Sequence, residues 1–391
     1  MKSITALIFT CLSLNLSAQI HLNNDEFSDA ATLVNWQNIN QTEGWNITQL
    51  ENYNIGDTVT GSLFMMPLSA SWFGEYRGAL LYKEIAGDFV VTTSVSVSAR
   101  DNISLPATDF SLAGIMIRNR MDYPNNNASI DWAPLEQNYI FMSIGRANQD
   151  NRYSFEIKNT CDSRSCLNIV DADSTSALIR MIRRDSQIVV MSKFGSDSWT
   201  IQNRYNRGGP MNGSIGNCGG ICGSLFSDTV QIGFVTYTDW PKVSSLDPSF
   251  HNSHTIHPDS LGMDDPTPGT AFNPDLKGSF DFIRFDSLDL PEEWLTLDLS
   301  DSTQVSDLDF ISQYGYDSQV NCPDSVTVSQ YPILDQRVQV VSDSLIVSMA
   351  SIDSTKEVLF NSLNQILLQN GFEVEAGAIF SATLEGCSEE P

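Results

Sequence analysis

Gly87 to Arg100 reads GDFVVTTSVSVSAR. Val90, Thr92, Ser94 and Ser96 alternate with Val91, Thr93, Val95 and Val97. A period of two held over that length marks a strand with one face buried and one face wet. Similar runs lie on either side: LAGIMIRN, YIFMSIGRA, RYSFEIKN, SALIRMIRRDSQIVVMSKFGSDSWTIQN, DTVQIGFVTYT and GSFDFIRFDSL. The fourth of these turns at Arg184 to Ser186 and again at Gly195 to Ser198, which makes it a meander. Many short strands with Gly, Asn, Asp and Ser corners predict an all-β fold, an antiparallel jelly roll or β-sandwich over residues 19–294.

The chain opens MKSITALIFTCLSLNLSAQ, with one Lys, an apolar run from Ile4 to Leu16, and small residues at Ser17 and Ala18. That pattern is a secretory signal peptide over 1–18, cut after Ala18 or, as second choice, after Gln19. A lipoprotein would use Cys11, but Cys11 interrupts the apolar run and does not close it. No later stretch has the eighteen or so apolar residues that a membrane helix requires, so no membrane insertion is expected. Polar insertions at 122–136, 206–224 and 241–276 are rich in Gly, Pro and Asn and are expected to be loops decorating the scaffold. Residues 295–321 are acidic and Ser-rich with sparse apolar positions, the composition of a linker that docks weakly on the scaffold if at all.

From Cys322 onward, in 322–391, short apolar pieces alternate with Asp-Ser, Asn and Gly corners. Each piece buries too little surface to stand alone, so the pieces must stack into a small β module. SLNQILLQNGFEVEAGAIFSATLEGC carries the pattern through Ile366, Leu368, Gly371, Phe372, Val374, Gly377, Phe380, Ala382 and Cys387. This stretch is similar to the stacked-strand C-terminal module of secreted Bacteroidetes proteins. The resemblance implies that Gly371 and Gly377 turn corners while Phe372 and Phe380 fill successive layers, and it brings no catalytic residues.

Lys and Arg number 21 against 48 Asp and Glu, a formal charge of -27. Such a surface repels nucleic acid and anionic membranes. Without Cys11 the chain has Cys161, Cys166, Cys218, Cys222, Cys322 and Cys387. An even set in an exported chain predicts disulfides, and proximity in sequence favours Cys161 with Cys166, Cys218 with Cys222, and Cys322 with Cys387. CDSRSC and CGGIC also have spacings open to a four-thiolate zinc site.

Jelly-roll glycosidases need two carboxylates flanking the scissile bond. No Glu-x-Asp-x-x-Glu run exists here; Glu292 and Glu293 are strand neighbours with opposite facing, and Asp281 and Asp286 also differ in parity. No catalytic residues are assigned. HNSHTIHPD places His251, His254, His257 and Asp259 together. Three rings at that spacing could meet on a metal only if a loop gathered them, and a mobile polar loop without tight metal is expected. Trp72, Phe73, Tyr76, Trp132 and Trp240 fall at loops or strand ends, where a ring could stack on a sugar while Glu75, Arg118 or Asp131 held its hydroxyls. Trp36, Trp45 and Trp199 sit in strand-like contexts and are expected in the core.

GSLFMMPLSASWFGEYRGALLYKEIAGDFVVTTSVSV, then FSLAGIMIRN and SFDFIRFDSLDLPEEW, resemble the concanavalin A-like lectin/glucanase superfamily, in its laminin-G-like form. The resemblance rests on Trp72, Leu80, Leu81, Tyr82, Gly87, Asp88, Phe89, Gly114, Ile115, Met116 and Arg118. It implies a sandwich that binds glycan or another surface ligand, with calcium held by oxygen ligands near the first strand. Asn24, Asp25 and Asp29, with Asp281 on a strand expected to pair nearby, are the candidates. The expected function is an exported, non-catalytic glycan-binding protein. The alternatives are a polysaccharide hydrolase or lyase whose acids come from different strands, and a purely adhesive component.

Overall fold

The strand Phe89–Ser98 lies at the centre of a seven-stranded antiparallel sheet. Its order is Thr200–Asn206, Gln187–Lys193, Ser176–Arg184, Phe89–Ser98, Lys277–Ser287, Leu63–Pro67, Leu50–Ile55. A second antiparallel sheet has eight strands, ordered Gln37–Asn38, Ala79–Ala86, Thr229–Tyr237, Ser111–Arg118, Tyr139–Arg146, Ser154–Cys161, Arg164–Asp171, Ile215–Gly216. This computed structural model describes residues 20–43, 47–121, 136–148, 151–256, 272–315, 326–328, 337–347 and 350–383. The expected signal peptide, Trp45, Asp131, Trp132, His257, Asp259, Cys322 and Cys387 lie outside the described residues.

The two sheets pack face to face. Val91, Val95, Val97 and Phe280 of the first meet Ile115, Met142, Phe155 and Phe234 of the second in one buried cluster. The rings of Phe234 and Phe280 touch across the gap at 4.4 Å between centroids. Each such side chain contributes roughly 1.5–3 kcal/mol on burial, which makes this layer the main source of stability. The period of two in Phe89–Ser98 is therefore the inward and outward facing of one strand.

Outward faces are covered too, and the described part of the expected linker docks on one of them. Trp294, Leu299, Val305, Phe310 and Tyr314 pack on Val90, Ile182, Val189, Met191 and Trp199, the outer face of the seven-stranded sheet. The helix Asp307–Tyr314 starts at Ser306, whose hydroxyl accepts from the Asp309 amide and donates to its carboxylate at 2.6 Å, a reciprocal cap. Arg204 donates to the Leu299 carbonyl at 2.7 Å and to Asp307 at 2.7 Å, and Arg180 donates to the carbonyl of Tyr314. The apolar residues of 294–314 are sparse in sequence, but turns bring them to one side.

The C-terminal strands run parallel, in the order Val326–Val328, Arg337–Val347, Glu357–Leu368, Ile379–Thr383, with a second pair of Ser351–Ile352 and Glu373–Val374. Leu345, Val347, Ile352, Val358 and Phe360 form their core, joined by Leu22 from the start of the described chain. Phe372 and Phe380 pack against each other at 5.2 Å and on Phe360. Gly371 and Gly377 take φ of 91° and 106°, the left-handed region where a side chain is strained. No helix among the described residues is long and apolar enough to cross a membrane.

The expected short-range cysteine pairs are replaced by Cys161–Cys222 and Cys166–Cys218, with Cα separations of 5.6 Å and 5.0 Å. Cys161 and Cys166 sit on the two arms of a hairpin whose register pairs Cys161 with Arg164 and Cys166 with Asn159, so they do not face one another. Instead the 206–224 segment returns along the sheet edge, where Ile215 and Gly216 pair with Leu167 and Cys166. Closing a loop of 61 residues stabilises by about 4 kcal/mol in the chain-entropy account. Replacing Cys161 and Cys222 together by Ala should lower stability by about 2–4 kcal/mol in urea unfolding. Peptide mapping without reduction should recover the 161–222 and 166–218 links and no 161–166 link.

Candidate functional site

The outer face of the eight-stranded sheet carries a dense set of buried polar and charged side chains. Strand register sets three rows across it. One is Glu84, Gln231, Arg118, Tyr139, Thr160, Ser165; the next is Tyr82, Gly233, Met116, Phe141, Lys158, Leu167; the third is Leu80, Val235, Gly114, Ser143, Glu156, Ile169. A half-wet sheet would leave such a face open, but here Arg118, Glu156, Lys158, Tyr139, Phe141 and Tyr237 are all buried. Segments 39–43, 69–78 and 239–256 close over it.

The first closure is ionic. Glu43 follows the short helix Ile39–Thr42 and holds Arg77 Nη1 through Oε2 at 2.5 Å and Arg118 Nη1 through Oε1 at 2.5 Å. Arg118 Nη2 adds a second bond at 3.0 Å, and Gln231 and the Met121 amide each donate at 3.3 Å. Burial alone would raise the Glu43 pKa, but the charges of Arg118 and Arg77 outweigh it and hold the carboxyl below its ordinary value. The Arg118 guanidinium lies 5.7 Å from the Trp72 ring centre.

The second is a buried pair on one strand. Lys158 Nζ is 2.6 Å from Glu156 Oε1 and donates to the Trp72 carbonyl at 2.5 Å. Tyr237 donates to Glu156 Oε2 at 2.7 Å and shares a 2.6 Å bond with Ser143. Phe73, Phe141 and Tyr237 surround the ammonium with centroids at 5.1, 5.0 and 5.8 Å. Burial lowers the Lys158 pKa against the opposing pull of Glu156, and burial with the Glu156 charge raises that of Tyr237 well above the usual phenol. The arrangement ties both carboxylate oxygens of Glu156 to neighbouring side chains and holds the group in place. Two residues along the same face stands an ammonium where a glycosidase would need a second acid.

At the rim the rings of Phe73, Tyr76 and Trp240 are half-buried. Trp240 contacts Phe73 at 5.2 Å and Tyr76 edge-on at 5.2 Å. Tyr76 donates to the Leu246 carbonyl at 2.7 Å, and Asn252 bridges the Arg77 amide at 2.9 Å and the Glu75 carbonyl at 2.8 Å. Of the expected ligand-contacting residues, the structure thus brings Glu75, Tyr76 and Trp240 to one rim. Two are corrected: Trp72 is fully buried, its indole donating to the Ala79 carbonyl at 3.2 Å, and Arg118 is fully buried and committed to Glu43. Neither can meet a ligand from solvent.

The carboxylates considered for calcium serve separate ends. Asp25 is buried and accepts from Phe27, Thr32 and Trp36; Asp29 caps Ala30–Asn35; Asp281 accepts from Ser62 at 2.9 Å and Ser94 at 2.7 Å. Asp25 does pair by its backbone with Ile283, two residues from Asp281, but no group of three or more metal-binding side chains occurs among the described residues. Of the clustered histidines, His251 and His254 are described. His251 is buried in the helix Pro248–Ser253 with Nδ1 on Asn252 at 2.8 Å, while His254 stacks on Phe250 at 4.0 Å. Burial, with Arg77 nearby and only Asn252 opposing, pushes the His251 pKa down to about 4.

The sequence held a signal for Glu156 and Lys158, which alternate with the apolar Phe155 and Ile157 in RYSFEIKN. It held none for Glu43, an acid beside a short helix. No protein-family model matches the chain, and no curated protein sequence matches it. Among solved structures, the chain is similar to a GH43 protein from Bacillus licheniformis at 9% identity and a TM-score of 0.38, covering 68% of this chain and 39% of that one. A functionally unknown protein from Saccharomyces cerevisiae matches at 12% identity and a TM-score of 0.39, over 66% of this chain and 99% of that chain. A prokaryotic β-1,3-1,4-glucanase (lichenase) from a mouse hindgut metagenome matches at 10% and 0.34, over 68% and 98%.

Removing one member of a buried ionic cluster leaves the others uncompensated, so Glu43→Ala should cost about 3–5 kcal/mol. The neutral His251 ring is favoured in the folded state, so its contribution is full above about 6.5 and is lost as the pH falls toward about 4. That loss is on the order of 3 kcal/mol. The stability difference between the native protein and His251→Gln, followed by urea midpoints, should narrow steadily between those pH values.

Proposed function

We propose that the chain is an exported carbohydrate-binding protein that holds a neutral polysaccharide at the aromatic rim of Phe73, Tyr76 and Trp240, without cleaving it. The observation that carries this reading is the contrast within one face: the carboxylates of Glu43 and Glu156 are sealed and ion-paired, while the rings beside them reach solvent. Glu43 is locked between two guanidiniums and Glu156 is locked against Lys158 and Tyr237, so neither is free to protonate a leaving group or carry an attack. Half-buried rings at fixed mutual angles suit the apolar faces of sugar rings. An acidic surface favours an uncharged polymer over a polyanionic one. The laminin-G-like resemblance, with a stacked module behind it, agrees with a binding sandwich on a spacer.

Hydrolysis of a polysaccharide is the second reading. The names carried by the GH43 protein and the lichenase lie on its side; the closed face lies on the side of the first. Under it Glu156, hydrogen-bonded by Tyr237, would be the acid to test.

Co-sedimentation with insoluble xylan, cellulose and mixed-linkage glucan separates the two. The native protein should be retained on at least one polymer, and Trp240→Ala should weaken retention roughly tenfold, one ring contact's worth of free energy, with an unchanged melting temperature. Release of reducing ends that disappears in Glu156→Gln would establish the hydrolase instead.

A further inference from the structure

A separate cavity opens on the outer face of the seven-stranded sheet, beyond the part covered by residues 294–314. Its volume is about 420 Å³, and Thr58, Phe64, Ser96, Ser98, Asn102 and Ser279 are among the residues lining it. That size falls in the roughly 300–1,000 Å³ range of small-molecule sites. Strand register puts Ser96 opposite Ser279, and Ser279 opposite Phe64, so hydroxyls and a ring stand side by side. Among the described residues, no hydrogen bond engages the hydroxyls of Ser96, Ser98 or Ser279.

Both walls are fixed before any ligand arrives. On one side Asn54 Oδ1 accepts from the Thr58 amide at 3.0 Å and its Nδ2 donates to the Thr58 hydroxyl at 2.8 Å, while Gly56 donates to the Ser62 carbonyl at 3.0 Å. On the other, Asp101 accepts from the amides of Ile103 and Ser104 at 2.8 Å each, and Lys277 Nζ donates to the Arg100 carbonyl at 2.6 Å and Asn102 Oδ1 at 2.8 Å. A preformed wall spares the ligand the entropy of ordering it. Among the described residues lining the cavity, Lys277 is the one that is charged, and its ammonium is already engaged. Asp281, next along the strand, has one oxygen on Ser62 and the other on Ser94. The chemistry on offer is therefore hydroxyl against hydroxyl beside an apolar floor, with no free charge.

We infer that this cavity is a second ligand site, specific for a small uncharged polyol of one or two sugar rings, and independent of the aromatic rim on the opposite sheet. The test uses the full chain and cellobiose, with glucuronate as the charged control, followed by heteronuclear NMR titration. Saturable cellobiose shifts at Ser96, Ser98 and Ser279 are expected, with no saturation by glucuronate. Ser96→Leu should fill the cavity and weaken cellobiose at least tenfold, while Trp240→Ala leaves those shifts in place. Ser279→Ala, which removes a hydroxyl without adding bulk, should weaken binding several-fold at an unchanged melting temperature and covers the case in which the Leu variant fails to fold. No saturable shift up to about 10 mM, equal binding by Ser279→Ala, or loss of the cavity shifts in Trp240→Ala would each overturn the assignment. Retention on polysaccharide and cavity binding are read by different variants, so either can fail alone.

Discussion

The carboxylate of Glu43 is the fixed point of the sandwich's closed face. Three pieces of chain far apart in sequence meet on it: the helix Ile39–Thr42, the 69–78 segment through Arg77, and the strand Ser111–Arg118. Bringing a carboxylate and two guanidiniums out of water costs several kcal/mol per ion, and the return is adequate only when every donor and acceptor is met. Here Gln231, Gln137 and the Met121 amide supply the remaining bonds. Such a cluster tolerates little displacement, so the covering segments are held in one place. Once they are held, Trp72 lies beneath them, and the face behaves as a second core with an ionic seam.

This closure explains which parts of the chain could be read from its letters. Alternation in GDFVVTTSVSVSAR names a strand because its faces meet different media, core on one side and serine-lined surface on the other. The corners at Gly371 and Gly377 were legible because positive φ selects glycine. Trp72 and Arg118 misled for a shared reason: ring and guanidinium look functional wherever they are, and only the fold says that one packs against the other. The cysteines misled because separation along the chain is a poor guide when a returning segment lines a sheet edge. Residues 295–315 were hidden by composition, since acids and serines dominate a stretch whose few apolar side chains share one face.

The covers also redistribute charge. Among the described residues, nine basic side chains are buried, Arg77, Lys83, Arg118, Lys158, Arg180, Arg183, Lys193, Arg204 and Arg207, against four acids, Asp25, Glu43, Asp239 and Glu156. Several of the nine do structural work: Arg204 and Arg180 hold carbonyls of the covering segment, Arg207 those of Tyr139 and Thr160, and Arg183 those of Asp228 and Ser227. Cations spent inside cannot balance acids outside, so the surface is more one-sidedly acidic than the net charge of -27 alone conveys. Field lines from such a surface exclude polyanions at long range whatever the local pocket offers. The groups left outside this ionic interior differ in kind, rings at the rim of one sheet and hydroxyls in the cavity of the other.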